Sequence, residues 1–262
     1  VPPVIVSRTY NAASADVAGT FGLSVPAMSV ANGVKPQSAA GGNFLAGLRH
    51  DDAFRTNLTV ANLKDEASEV EVVFRDAAGN VLGSPAKVTV EGRGVKQLNG
   101  ALSAAVASAT DPIGGAGYGS PASQFSAEVR IKSGSGVYPY ATVIDQGTGD
   151  SIVVTPAATP SPTYRLPGIV RVLGGSGAYW VSDVALLNPT ASPRKINVTF
   201  SYEKLGTPGR WERTLPFSLA PYGMAVATDF VRSWLGLAAD DPDGYANSYV
   251  DFVPAADDPT PT

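Results

Sequence analysis

Hydrophobic and polar residues alternate with a period of two along much of the chain. Val70, Val72 and Phe74 occupy alternate positions in one segment, and Val88 and Val90 do so in the next. Side chains at alternate positions of a strand share one face, so each segment is predicted to be a β-strand with one buried side. Such segments recur at short spacing between glycines and prolines, a pattern that is typical of a β-sandwich.

Turns and helices are predicted at only a few places. Residues 76–80 predict a hairpin turn between the two strands above, because Gly79 can adopt a positive φ. Residues 101–109 and 229–237 each predict a short helix that covers one end of a sandwich. The predicted fold class is therefore all-β.

The pattern occurs twice. Residues 54–63 align with residues 180–189, and 180 − 54 gives an offset of 126 that also places Phe74 on Phe200. Ahead of this anchor, residues 45–48 resemble residues 166–169. Behind it, Gly94-Val95 resembles Gly223-Met224 and residues 125–130 match residues 247–252, so that Phe125 falls on Asn247. A repeat of this length predicts a whole domain copied in tandem.

The two copies end differently. The first continues through residues 137–157, which read as strand, turn, strand and Pro-Ala, whereas the second has only the acidic, proline-rich residues 254–262. Residues 4–27 at the start of the chain follow the same plan as residues 137–157. The sequence therefore predicts two module bodies and two hairpins, one of which precedes the bodies.

These boundaries define the predicted organisation. It comprises an N-terminal hairpin at 1–28, a linker at 29–43, a first sandwich module at 44–157, a proline-rich linker at 158–163, and a second module at 164–262. The second module lacks its final hairpin, which would expose an apolar face and unpaired backbone groups.

The N-terminal hairpin is predicted to complete a module, either within its own chain or in a neighbouring copy. Docking in a neighbouring copy would join chains head to tail by strand addition. The residues predicted to make this self-association contact are Val4, Val6, Thr9, Tyr10, Phe21, Leu23 and Val25.

Composition narrows the classes of partner. Charged residues make up 16% of the chain, below the usual ~25%, the net charge is −4 and the pI is about 5.0. A nucleic-acid partner is not expected, because phosphate backbones require clustered Lys and Arg. The chain contains no cysteine and no apolar stretch of the ~18 residues that span a membrane.

Candidate catalytic and metal-binding groups are few, and no catalytic residue, cofactor or metal site is predicted. His50 is the single histidine and is followed by Asp51, an arrangement that could orient a general base, but an exposed loop explains it as well. Asp240 to Gly244 has the alternating carboxylates of a calcium loop without its bidentate glutamate, and a solvated acidic turn is the alternative. The sequence 145–150 is interpreted as turn chemistry.

Two further patterns are interpreted mainly as structure. Asn57 and Asn197 each begin a glycan acceptor motif, but both lie in predicted strands. Trp180, which aligns with Phe54, and Trp234 are predicted to be core residues. A sugar-stacking platform could be formed by exposed aromatic residues, of which the candidates are Tyr118, Tyr138, Tyr140, Tyr179 and Trp211.

Three motifs resemble a known class of modules. They are residues 55–62, the hairpin 7–22 and residues 140–150, and they resemble tandem immunoglobulin-like β-sandwich repeats of large secreted bacterial proteins. The resemblance implies an extracellular or cell-surface location in a bacterium, and no enzymatic activity. We expect a structural subunit of a head-to-tail filament, with self as the main partner; the alternative is an accessory adhesion or carbohydrate-binding module with glycan partners.

Overall fold

The protein divides into two compact units, Val1–Ala158 and Thr159–Thr262. The structure is a computed structural model and describes residues 7, 9–10, 22–25, 27, 33, 43–102, 124–156, 163–177, 179–238 and 241–259. The described residues form antiparallel sheets with very little helix, so the predicted all-β class is confirmed.

The first unit contains a sandwich of two four-stranded sheets. Its strands are β1 Thr9–Tyr10, β2 Gly22–Leu23, β3 Asn43–Arg49, β4 Phe54–Asn62, β5 Ser68–Asp76, β6 Val81–Val90, β7 Val95–Leu98, β8 Gln124–Ser133, β9 Val137–Asp145 and β10 Ser151–Val154. One sheet has the order β3-β8-β5-β6 and the other the order β10-β9-β4-β7. All of their pairings are antiparallel.

The core of this unit fills the space between the two sheets. Val70, Val72 and Phe74 are buried at the alternate positions that the sequence indicates, and the Phe74 and Phe125 rings meet edge to face at 5.8 Å. The predicted turn closes β5 and β6, since the Asp76 amide donates to the Asn80 carbonyl at 3.0 Å.

The N-terminal hairpin forms a small sheet of its own. Thr9 pairs with Leu23 and Tyr10 pairs with Gly22. The Ser24 hydroxyl donates to the Ser7 carbonyl at 2.7 Å. This hairpin belongs to the first unit, where β2 lies beside the edge strand β10.

The second unit repeats much of this arrangement with fewer strands. It comprises β11 Tyr164–Pro167, β12 Arg171–Leu173, β13 Tyr179–Val181, β14 Val184–Leu187, β15 Arg194–Lys204, β16 Trp211–Leu219, β17 Met224–Ala227, helix α1 Phe230–Leu235 and β18 Tyr245–Pro254. The larger sheet has the order β13-β12-β18-β15-β16, with β11 also paired to β18. The facing sheet contains only β14 and β17 among the described residues.

Phe200 is at the centre of the second core. Its ring stacks on Tyr202 at 4.8 Å and meets Phe230 edge to face at 5.4 Å. Phe230 begins α1, which Asp229 caps by accepting from the Arg232 amide and which ends at Gly236 in the left-handed conformation. This helix lies where one was predicted, and of the other predicted helix only residues 101–102 are described, as helical.

One prediction about the second core is wrong. Trp180 was expected to be buried because it aligns with Phe54, but its side chain is 61% exposed. The reason is local: residues 171–173 pair with residues 179–181, so Trp180 belongs to a short hairpin at the edge of the larger sheet. Trp234, in contrast, packs on the core, and its ring stacks on Phe230 at 5.2 Å.

Candidate functional site

Six strands of each unit follow the same pairing scheme. Phe74 pairs with Ala127 and Leu82 in the first unit, and Phe200 pairs with Val250 and Arg213 in the second. We call two residues equivalent when they occupy the same place in these schemes. The equivalent strands are β3 and β11, β4 and β14, β5 and β15, β6 and β16, β7 and β17, and β8 and β18.

A buried asparagine marks the same corner in both units. The Asn62 side-chain amide donates to the Glu66 carbonyl at 2.7 Å and to the Val90 carbonyl at 3.2 Å. The Asn188 amide donates to the Ser192 and Ala220 carbonyls at 2.7 and 2.8 Å. Both side chains are almost fully buried, so each satisfies backbone groups that would otherwise be left unpaired.

Strands β9 and β10 have no equivalent among the described residues of the second unit. In the first unit β9 pairs with β4 along its whole length, from Phe54 opposite Asp145 to Asn62 opposite Val137. In the second unit, β14 has β17 on one side, and no described strand pairs with its other edge. Its edge therefore presents backbone groups to an incoming strand.

Apolar side chains on this side of the second unit are more exposed than their equivalents in the first unit. Leu45 of β3 is fully buried, whereas its equivalent Leu166 of β11 is 39% exposed. Val60 of β4 is buried, and its equivalent Leu186 is only half-buried. We define the acceptor surface as the exposed or half-buried residues on the inner side of this unit, which are Tyr164, Leu166, Leu186 and Phe252.

A largely apolar cavity opens between the two sheets beside this surface. Its volume is about 220 Å³. Val184, Leu186, Val198, Phe217 and Phe252 are among its lining residues. A cavity of this character in a sandwich interior lacks the side chains that would normally fill it, so it is suited to receive apolar side chains from another segment.

The last described residues lie at the corner where β15 begins. Asp258 accepts a hydrogen bond from the Arg194 guanidinium at 2.8 Å and from the Lys195 amide at 3.2 Å. At the equivalent corner of the first unit the Ser68 hydroxyl donates to the Ser135 carbonyl at 3.3 Å, just before β9 begins. The two units therefore share the corner after which the first one adds β9.

One backbone difference accompanies the open side. The Leu63 amide donates to the Gly136 carbonyl in the turn between β8 and β9, at 2.9 Å. The second unit has Pro189 at the equivalent place, and proline carries no amide hydrogen. The second unit therefore has no backbone amide at this position that would need an acceptor from a turn like the one between β8 and β9.

The predicted self-association residues are only partly described. Thr9, Tyr10, Leu23 and Val25 are in or next to the hairpin strands, and Val4, Val6 and Phe21 lie outside the described residues. The self-association contact of these seven residues therefore stays a prediction.

His50, the candidate general base, lies beside a turn that Asp51 holds in place. Burial lowers the pKa of His50, and the charge of Asp51 opposes this shift. The Asp51 carboxylate accepts hydrogen bonds from the Ala53 and Phe54 amides at 2.9 and 2.8 Å, which fixes the turn into β4. Asp51 therefore serves the backbone of this turn.

The acidic candidates form hydrogen bonds or ion pairs with nearby residues. Asp240 lies outside the described residues, Asp241 accepts from the Asp243 amide at 2.9 Å, and Asp243 forms an ion pair with Lys204. Asp145 accepts from the Gly147 and Thr148 amides, as turn chemistry predicts. No group of three or more His, Cys, Asp or Glu suited to a metal occurs in the described part of the chain.

The aromatic and glycan candidates are dispersed. Tyr118 lies outside the described residues, Tyr138 and Tyr140 lie on β9, and Tyr179 accepts from buried Arg171 at 2.7 Å. Burial raises the pKa of Tyr138. Trp211 lies in a different place, at the start of β16. Asn57 is buried and accepts from the Gly100 amide at 3.1 Å, as expected for a strand asparagine.

Sequence reasoning missed two features. The paired corner asparagines could have been found, since the offset of 126 places Asn62 on Asn188. The aromatic cluster of Tyr202, Trp211 and Tyr245 could not, because its members are 43 residues apart at the extremes and meet only when β18 pairs with β15.

Comparisons with known proteins identify no relative from which a role could be transferred. No family model and no curated protein matches the chain. Among solved structures, a transglutaminase from red sea bream aligns at 15% identity with a TM-score of 0.16, over 73% of this chain and 26% of its own. The chain thus spans about a quarter of that enzyme, and a similarity this low carries no argument about fold or function. Among the described residues, no helix is long and apolar enough to cross a membrane.

Proposed function

We propose that the chain is a structural subunit that joins copies of itself head to tail through β-strand complementation. The observation that carries this proposal is the contrast between the covered Leu45 side of the first unit and the open Leu166 side of the second. The proposed occupant of the acceptor surface is the N-terminal hairpin, residues 1–28, of a second copy. This role is structural and requires no catalytic residue.

The strand order supports two immunoglobulin-like modules of unequal completeness. If β3, β4, β5, β8, β9 and β10 are taken as strands B to G, their pairings reproduce the B-E-D and G-F-C sheets of that fold. In the same notation β11, β14, β15 and β18 supply B, C, D and E of the second module. The strands still required are F and G, which form a hairpin.

The N-terminal hairpin has the register of the hairpin that is required. Pro26-Ala27 and Pro156-Ala157 place Leu23 on Val153. Leu23 pairs with Thr9, and Val153 pairs with Thr142. The N-terminal hairpin can therefore be superimposed on β9–β10 by register as well as by sequence plan, which places Tyr10 on the buried Val143.

The energetic benefit of such a joint comes from the acceptor surface. Fully burying an apolar side chain contributes about 1.5 to 3 kcal/mol, and the four acceptor residues are exposed or half-buried. Pairing of the β14 edge adds backbone hydrogen bonds that the free unit lacks. In the single chain the hairpin lies beside β10, so assembly requires it to exchange this position for β14 of a neighbour.

The low charge of the chain and the resemblance of the motifs to secreted repeats favour an extracellular or cell-surface location in a bacterium. Charged residues are only 16% of the chain. A polar surface with few charges suits a subunit whose faces must approach one another closely. The assembly would then display the two modules along its length.

Disulfide trapping tests the proposed register. The superposition places Ser7 on Tyr140, which pairs with Thr59, whose equivalent is Ala185 of β14. Facing residues of paired strands are about 5 Å apart at Cα, within the range of a disulfide. We therefore expect chains carrying Ser7→Cys to form a mixed disulfide with chains carrying Ala185→Cys, and the absence of native cysteine makes the product unambiguous.

The matched control moves the acceptor cysteine to another exposed strand position, Ser218→Cys on β16. Mixing this variant with the Ser7→Cys chain should give no specific mixed disulfide. Equal trapping at positions 185 and 218 would contradict the register, and no trapping at position 185 would contradict docking in a second copy.

A further inference from the structure

A second recess in the same unit lies apart from the acceptor surface and shares no lining residue with it. It has a volume of about 480 Å³ and is bounded by β15, β16, the end of α1 and the start of β18. Its principal side chains are Tyr202, Lys204, Trp211, Arg213, Leu235 and Tyr245.

Three aromatic rings form the apolar part of this recess. Tyr202 lies 6.2 Å from Trp211 with the rings 25° apart, and 5.7 Å from Tyr245 in an edge-to-face contact. Trp211 is only half-buried, so part of its surface faces the recess. Ring faces of this kind pack well against the C–H faces of flat, polar molecules.

Charged and hydroxyl groups form the other part. Lys204 pairs with Asp243, and the exposed Arg213 has no ion-pair partner in the part of the chain that the structure describes. Burial, followed by the charge of Asp241, raises the pKa of Tyr245, so its phenol keeps its proton. The recess therefore offers hydrogen-bond donors from Arg213 and Lys204 beside an aromatic wall.

The recess lies at a hairpin that is longer than its equivalent in the first unit. In the first unit the equivalent hairpin closes tightly at Asp76–Asn80, where the Gly79 amide donates to the Asp76 carbonyl at 3.0 Å. In the second unit β15 continues to Lys204 and β16 begins at Trp211, so the hairpin extends past the core. This longer hairpin supplies Tyr202, Lys204 and Trp211 to the recess.

We propose that this recess binds a saccharide, with one sugar ring against Trp211 and a hydroxyl or carboxylate oxygen accepting from Arg213. The combination of aromatic faces with polar donors is the one that a sugar ring requires, because the ring has apolar C–H faces and a polar rim. A 480 Å³ recess accommodates a hexose ring. This inference does not depend on self-association.

Titration of the full chain with two probes tests the proposal. The probes are cellohexaose, which is neutral, and a hexamer of galacturonic acid, which is acidic, with binding followed by calorimetry and tryptophan fluorescence. We expect at least one probe to bind with a Kd below about 1 mM. Trp211→Ala should weaken that binding at least tenfold, whereas Trp211→Phe, which keeps a ring, should weaken it less.

Two further variants make the test specific. Arg213→Gln should weaken the acidic probe more than the neutral one if a carboxylate is recognised, and both about equally if hydroxyls are. The matched control is Tyr249→Ala, which removes an aromatic ring flanked by Arg165 and Arg210. Tyr249→Ala should bind as the native chain does. Absence of binding by both probes, or native affinity in Trp211→Ala, would overturn the proposal.

Discussion

Removal of residues 1–28 is expected to abolish self-association. The full chain should form particles whose mass increases with concentration, while the truncated chain should stay at the mass of one chain throughout the series. The physical reason is that the truncated chain retains the open β14 edge but has no hairpin to offer it. Light scattering across a concentration series measures the difference.

The expected size of this effect follows from the surface involved. Burial of several side chains at about 1.5 to 3 kcal/mol each must exceed an association cost of about 4 to 15 kcal/mol. A net of about 8 kcal/mol already gives micromolar affinity. As a control, removal of residues 260–262 should leave association intact. Equal association with and without residues 1–28 would show that another surface joins the copies.

Phe200→Ala is expected to destabilise the second unit by about 3 to 5 kcal/mol, because it deletes a fully buried ring at the centre of that core. The urea midpoint of this unit should then fall by at least about 1 M. All three tryptophans, Trp180, Trp211 and Trp234, lie in the second unit, so tryptophan fluorescence follows this transition directly.

The matched variant is Phe74→Ala, which removes the equivalent ring from the first core. The two cores are separate clusters, so this substitution should leave the tryptophan transition nearly unchanged. Phe200→Leu should cost less than Phe200→Ala, since it leaves a smaller cavity. A tryptophan transition that moves as far with Phe74→Ala as with Phe200→Ala would contradict the independence of the cores.

The fold class could be predicted because local alternation determines which side of a strand is buried. Val70, Val72 and Phe74 are buried at alternate positions, and the helix Phe230–Leu235 forms between the cap Asp229 and Gly236. These features depend on near neighbours in sequence. They are therefore visible in a single chain without any comparison.

Features set by distant pairing were less predictable. The sequence alignment placed Phe125 on Asn247, but the observed pairings place Ala127 on Val250, an offset of 123 (250 − 127) instead of 122. A shift of one residue reverses the face of every side chain in a strand. Asn247 has a φ of 46°, and the register between β15 and β18 shifts near it, so this irregularity explains the error.

The candidate site, too, could be predicted only in part from the sequence. An exposed apolar side on the second unit could be predicted from the repeat, and the structure places exposed Leu166 where the first unit has buried Leu45. The identity of the acceptor residues could not, because the hairpin of β12 with β13 withdraws Trp180 from the strand that would have continued β14. The recess beside Trp211 depends on pairing between β15 and β18, which are distant in sequence, so it could not be predicted either.

Mixing two chains that are each defective tests strand complementation most directly. Leu166→Asp retains the hairpin but places a charge on the acceptor surface, and the chain without residues 1–28 retains the acceptor surface only. The control variant is Val253→Asp, which places the same charge on an exposed residue of β18. Val253 lies on the face opposite to Phe252 and outside the acceptor surface, so this variant should assemble as the native chain does.

We predict that neither defective chain associates alone and that an equimolar mixture gives a complex of one chain of each kind, measured as its mass by light scattering. Each complex should stop at two chains, because the hairpin donor in it has a blocked acceptor and the acceptor chain has no hairpin. A mixture that remains monomeric, or continued polymerisation of the Leu166→Asp chain alone, would contradict the account.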